Sequence, residues 1–293
     1  MKRPLFIAIF AITVLFFGRP VPGYSAAPWQ WLLCLKGQPS GHSISLPSAL
    51  YIDQALGRYY VVDAGNNRLL SYTKDGEFLR SFDVDGRLQA PFDMVRDQET
   101  RIWLVEKGRN SLTMIDLRNK LVEHHSLSDN GRTVSPDRLE WEDGVFFLLD
   151  RATGQVLSLD QDLEVTGRFA SKDSSNGFVD FKIRNGSLWA LERGGKAVLR
   201  FNMDGQPASS VALDDVLRFP CSLEVGPSGV FYVLDRHGGD IAVFDQKGRF
   251  KYRFLHPGHT RGRLYFPIEL KFDPWGRLCV VEEGNGRVEV FSR

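Results

Sequence analysis

Five charged residues recur at matching places in this 293-residue chain and are the first candidates for chemistry: Asp93, Arg138, Asp180, Glu224 and Glu269. Each follows by two or four residues a marker that opens a short apolar segment, namely Pro91, Pro136, Phe178, Pro220 and Pro267, with Pro47 opening a sixth. The first slot past the marker holds Ala49, Asp93, Arg138, Asp180, Ser222 and Glu269, and the second holds Tyr51, Val95, Glu140, Lys182, Glu224 and Lys271. Leu50, Met94, Leu139, Phe181, Leu223 and Leu270 lie between them. That alternation puts the polar groups on one face of a strand. Acids outnumber bases in these slots five to three, a balance that suits Ca²⁺, since hard cations take several carboxylate oxygens. Such a cation would polarise a carbonyl and leave a free carboxylate to act as base. The simpler expectation is a water-filled, salt-bridged funnel in which Arg138 pairs with Asp93 and Asp180.

Other chemistries are poorly provided. Cys34, Cys221 and Cys279 stand far apart, with no C-x-x-C and no C-x-x-C-H. A redox dithiol, haem attachment and a Cys-rich zinc site therefore lose their support, and separate buried thiols are expected. The histidines are His42, His124, His125, His237, His256 and His259, none on a channel slot, whereas a catalytic zinc site wants three converging ligands. His256 and His259 sit in the connector HPGHTRGRLYFP, and His124 and His125 in an outer strand. The segment GHSIS (41–45) lacks the closing Gly of a nucleophile elbow. Asn185-Gly186-Ser187 reads as a hairpin turn before a glycosylation acceptor. Trp29 and Trp31 are read as core residues of a closing strand.

The elements that must position these residues repeat. Six segments share an apolar–acidic step, a Gly-bearing turn and a further apolar strand, with the acids at Asp63, Glu106, Asp150, Glu192, Asp235 and Glu282. Their spacings are 43, 44, 42, 43 and 47 residues. Hairpin turns such as Asp143-Gly144 and Trp275-Gly276 fall between marker and acid, and others such as Asp75-Gly76 and Asp204-Gly205 fall beyond it. Each unit is thus four antiparallel strands, the size of a propeller blade. The sixth unit stops after its third strand at Phe291-Ser292-Arg293, while WQWLLCLK (29–36) precedes the first unit without a partner. Joining the two removes a sheet edge. The predicted fold is all-β: a six-bladed β-propeller over residues 27–293, its last blade closed by the N-terminal strand.

These units resemble NHL repeats, most closely in the first (Asp63, Gly65, Asn66, Asn67, Arg68, Tyr72, Asp75, Gly76) and the sixth (Phe266, Pro267, Glu282, Gly284, Asn285, Arg287, Phe291). The resemblance implies an acid–Arg pair in each blade. The Arg slot of the middle units holds Ser111, Gln155, Ala197 and Asp240, which predicts irregular middle blades. Family members serve as binding platforms and sometimes as enzymes. The amidating lyases of the wider group bind channel metals through His, a set that the pore slots here do not offer.

Thirty-seven Lys and Arg against 36 Asp and Glu leave a net +1, far from a nucleic-acid footprint. Lys2 and Arg3, the apolar run from Leu5 to Phe17 and the small residues Ser25-Ala26-Ala27 match a signal peptide over residues 1–26. The apolar run is too short for a membrane span. Its removal takes Lys2, Arg3 and Arg19 and no acid, turning +1 into −2. The expectation is a periplasmic or secreted protein, free of the membrane after cleavage. Its function is expected to be that of a non-catalytic scaffold for a protein partner in the cell envelope, with no cofactor. The alternative is a Ca²⁺-dependent hydrolase or lyase with Asp93, Asp180, Glu224 and Glu269 as oxygen ligands.

Overall fold

The computed structural model describes residues 29–37, 43–171 and 177–293. The signal-peptide assignment and His42 lie outside them. Among the described residues, six four-stranded antiparallel sheets follow one another around a ring. Blade 1 is Pro47–Asp53, Arg58–Asp63, Arg68–Thr73 and Phe78–Phe82, and blade 2 is Pro91–Arg96, Ile102–Glu106, Ser111–Asp116 and Leu121–His125. Blade 3 runs Pro136–Glu142, Val145–Asp150, Gln155–Leu159 and Val165–Phe169. Blade 4 runs Phe178–Arg184, Ser187–Glu192, Ala197–Asn202 and Pro207–Ala212. Blade 5 runs Pro220–Val225, Phe231–Asp235, Asp240–Phe244 and Phe250–Phe254. Blade 6 supplies Pro267–Phe272, Leu278–Glu282 and Arg287–Ser292, and its outermost strand is Gln30–Leu35 from the other end of the chain. In that seam Leu33 faces Val290, Cys34 faces Glu289 and Leu35 faces Val288, antiparallel.

The ring is held by six apolar cores, one between each pair of neighbouring blades. The middle strands of each blade carry apolar side chains on both sheet faces, so each blade fills one core with each face. Aromatic residues do much of the filling: Phe147, Phe169, Phe178 and Phe201 meet between blades 3 and 4. Each fully buried side chain of this size contributes roughly 1.5–3 kcal/mol of transfer free energy. Trp29 is buried between blades 5 and 6, as a core residue should be.

The middle blades are regular, contrary to the expectation drawn from their missing arginines. The reason is substitution of partners. Asp63 and Glu282 pair with Arg68 and Arg287 at 2.6 and 2.7 Å. Asp150 takes Arg132 at 2.8 Å from outside the repeat position, and Asp235 has Arg253 at 3.9 Å. Glu106 accepts a hydrogen bond from the Thr113 hydroxyl. The three cysteines carry free thiols. Cys279 is buried and Cys34 and Cys221 are half-buried. Burial pushes the Cys34 thiol up to about 11 and the Cys221 thiol up to about 12, which keeps both protonated and unreactive.

Sealing by the N-terminal strand can be tested at Leu35, which is fully buried in the core between blades 6 and 1. Leu35→Ala should lower the unfolding free energy by about 2–5 kcal/mol, read from the urea midpoint. An unchanged midpoint would mean that this strand does not close the ring.

Candidate functional site

The innermost strand of each blade has no strand beyond it, so amide N–H groups on its channel edge lack ladder partners and need other acceptors. All six strands carry a β-bulge just after the marker, at Pro47/Ala49, Pro91/Asp93, Pro136/Leu139, Phe178/Asp180, Pro220/Ser222 and Pro267/Glu269. Bulges re-aim side chains, and here the residue beyond the bulge reaches the next blade. Glu269 Oε2 accepts the Leu50 N–H at 2.7 Å, Asp93 Oδ2 accepts that of Leu139 at 3.0 Å, and Asp180 Oδ2 accepts that of Leu223 at 2.8 Å. Ser222 Oγ accepts the Leu270 N–H at 3.1 Å and donates to Asp180 Oδ2 at 2.6 Å. The preceding slots for Met94 and Phe181 hold Ala49 and Arg138, which offer no acceptor. There Asp93 and Asp180 take their own chain's next N–H through Oδ1, at 2.8 and 2.9 Å. The ring of apolar residues between the two polar slots is thereby fully bonded.

Cations fill the second layer. Lys182 Nζ lies 3.1 Å from Asp180, and Arg184 of blade 4 forks onto both oxygens of Glu224 in blade 5 at 2.7 and 2.9 Å. Lys271 Nζ lies 3.4 Å from Glu269 and donates to the Leu50 carbonyl at 3.0 Å. Arg138 corrects its expected pairing: it hydrogen-bonds neither Asp93 nor Asp180. It donates instead to the carbonyls of Ser48 and Ile268 at 3.2 and 3.1 Å, with Glu269 at 3.9 Å. The cause is the blade-to-blade offset, which points its long side chain across the channel at two free carbonyls. Asp93, Asp180, Glu224 and Glu269 are all buried, but their proton affinities diverge. Burial opposes ionisation of Asp180, yet Lys182, Arg138 and the Ser222 and Leu223 donors hold it below the usual carboxylate range. Burial raises Glu224 despite Arg184 and Lys182. Burial and then the Glu269 charge push Asp93 up to about 7, against Lys271 and Arg138. Among the described residues Asp93 has no ion pair within 4.0 Å, unlike the other three.

This donor set does not fit a resident divalent cation. Every oxygen of the four carboxylates already accepts from an N–H or hydroxyl, or faces a cation. Arg138, Lys182, Arg184 and Lys271 occupy the places where a metal's charge would stand. Among the described residues no group of three or more His, Cys, Asp or Glu is placed to hold a metal.

The repeat acids do a different job at one rim of the channel. Asp63 accepts the Ser45 N–H at 2.7 Å, Asp150 that of Ser135 at 2.9 Å, Asp235 that of Phe219 at 3.1 Å and Glu282 that of Tyr265 at 2.9 Å. Each acid thus ties down the segment leading into its own blade. On that rim the residue before the marker is exposed and apolar in three successive blades, Phe219, Phe266 and Leu46, at 48%, 40% and 53% exposure. The same slot holds Ala90, Ser135 and Gly177 in the others. The arc continues as ring contacts: Phe219 stacks on His237 at 4.5 Å, Tyr265 meets Phe266 at 4.7 Å, and His259 meets Tyr265 at 4.2 Å. Sequence reasoning passed over this arc. Its signal was the residue before each Pro.

A likeness to solved structures covers nearly the whole propeller. A gluconolactonase from Xanthomonas campestris superposes with a TM-score of 0.67 at 17% identity, covering 94% of this chain and 97% of that one. Virginiamycin B lyase from Staphylococcus aureus gives 0.62 at 15%, covering 84% and 80%. An auxiliary nutrient binding protein from Bacteroides thetaiotaomicron gives 0.65 at 14%, covering 86% and 70%. No family model and no curated protein matches the sequence. The class established is a six-bladed β-propeller. The expectation of a non-catalytic assembly scaffold is corrected by this set. It rested on the lack of a complete catalytic set of the familiar kinds, and two of these three propellers, a lyase and a lactonase, are enzymes.

The bonded ring makes a direct prediction. Asp180→Ala strands the Lys182 charge, the Leu223 N–H and the Ser222 hydroxyl in a buried site, and should cost about 3–5 kcal/mol in urea unfolding. A loss below about 1 kcal/mol would show that the carboxylate does not hold blades 4 and 5 together.

Proposed function

We propose that the chain is a hydrolase or lyase acting on a carbonyl compound, with its acid–base work done in the channel by Asp93 and no resident metal required. The observation that carries this reading is the divergence among four buried carboxylates. Three are locked by cations, while Asp93 lacks an ion pair and has its proton affinity moved to about 7. A base titrating near neutral pH is what proton transfer needs. Lys271 and Arg138, the cations that bear on Asp93, both stay protonated, because Glu269 and the other channel acids outweigh their burial.

In a hydrolytic turnover Asp93 takes a proton from water as the water oxygen bonds to the acyl carbon. The carbonyl π pair moves to oxygen, where a guanidinium or ammonium stabilises the charge. The pair then re-forms the carbonyl, the acyl–oxygen bond breaks and Asp93 returns the proton to the leaving oxygen. In an elimination the same carboxylate takes a proton from the carbon next to the carbonyl while the same cations face the enolate oxygen. The enolate pair then forms a carbon–carbon double bond as the β-carbon–oxygen bond breaks, and Asp93 gives its proton to the departing oxygen. The aromatic arc of Phe219, Phe266 and Tyr265 would receive the rest of the substrate. The lyase and lactonase with this fold lend support, as enzymes rather than as guides to residues.

We further read the repeats as NHL-type on the Asp63–Arg68 and Glu282–Arg287 pairs, and the protein as exported, its residues 1–26 removed. The test is a panel of lactones and esters assayed at constant pH. Asp93→Asn should reduce turnover by roughly 10²–10⁴-fold. Because the ionised form is the base, the wild-type rate should climb as pH rises through about 7 and then level off. An Asp93→Asn variant at full rate would overturn the assignment.

A further inference from the structure

A second site lies outside the channel, where the outer parts of blades 1 and 2 splay to leave a cleft of about 540 Å³. Pairing in blade 1 sets Tyr60 opposite Ser71 and Ser71 opposite Arg80. These three side chains therefore form one row across neighbouring strands, about 4.8 Å apart. Arg58 sits one pleat along from Tyr60 on the same face. The apolar lining comes from Leu69 and Phe82 on the blade 1 side and from Ile102 and Leu117 of blade 2. No acid lines the cleft.

The two guanidiniums are what set this gap apart. At the step corresponding to Arg58, Arg101 of blade 2 bonds Asp97 at 2.6 Å, and Arg277 of blade 6 faces Asp273 at 4.0 Å. The corresponding acid in blade 1, Asp53, is taken by Arg96 from the next blade. Arg58 is left without a carboxylate, and Arg80, two strands outward on the same blade 1 wall, also has no ion pair among the described residues. Two uncompensated cations beside an apolar concavity of ligand size fit an anionic head on an apolar body.

We propose that the cleft between blades 1 and 2 binds an amphiphilic organic anion, a carboxylate on an apolar body, with Arg58 and Arg80 on the head and Leu69, Phe82, Ile102 and Leu117 around the body. The site is separate from the channel and independent of the chemistry assigned there. The probe is decanoate below its micellar concentration, followed by calorimetry and by methyl resonances of the full mature chain. Saturable binding is expected, with shifts at the Leu117 and Ile102 methyls, and weakening of at least about tenfold in the double variant Arg58→Gln/Arg80→Gln. Both arginines are exposed, so this variant should keep the wild-type melting temperature. Decanol should bind more weakly than decanoate, and acetate should not compete. Absence of saturable binding, equal affinity for decanol, shifts located elsewhere or an unchanged double variant would each overturn the proposal.

Discussion

A propeller's innermost strands have amide N–H groups that face the channel and find no further strand to bond. A buried donor left unmet costs on the order of 1–3 kcal/mol, and the ring geometry repeats the problem six times. This chain answers it with side chains. Glu269, Asp93, Asp180 and Ser222 each reach one blade forward to a backbone N–H, and the two gaps left by Ala49 and Arg138 are covered by an Asp bonding its own strand. Channel charge is thus a requirement of the architecture before it is a resource for chemistry. The carboxylates that accept these bonds must stay buried, so cations gather around them.

Function then depends on what this arrangement leaves over. Lys182 and Arg184 neutralise Asp180 and Glu224 directly, and Lys271 stands beside Glu269. Asp93 shares the field of Lys271 and Arg138 with Glu269, accepts only backbone N–H groups and has no ion pair among the described residues. Burial and a like charge then raise its proton affinity, the combination that marks groups suited to acid–base work. A site built this way is stiff, because the groups that could do chemistry also join one blade to the next.

Departures from six-fold symmetry carry the rest. The rim acids are alike in their job of holding the segments that lead into the blades, yet the residues beside them are not: Phe219, Phe266 and Leu46 make one half of the rim apolar and ring-bearing. Between blades 1 and 2 the capture of Asp53 by Arg96 leaves Arg58 over. Both features come from single residues that differ from their counterparts in other blades.

The architecture was legible because it is written locally. The acids from Asp63 to Glu282, the Pro markers, the turns and the two-residue alternation act within one unit of about 43 residues, and the unmatched segments at the two ends announce the seam that Leu35 and Val288 form. The partners of the charged side chains were not legible. Asp93, Arg138, Asp180, Glu224 and Glu269 lie on the innermost strands of their blades, but Arg138 bonds Ser48 and Ile268, ninety and more residues away. The carboxylates offered in the alternative reading as an oxygen cage for Ca²⁺ are already engaged. Spacing along the chain determines which residues reach the channel. Which of them meet is decided by the rotation from one blade to the next, a relation among distant segments that exists only once the ring has closed.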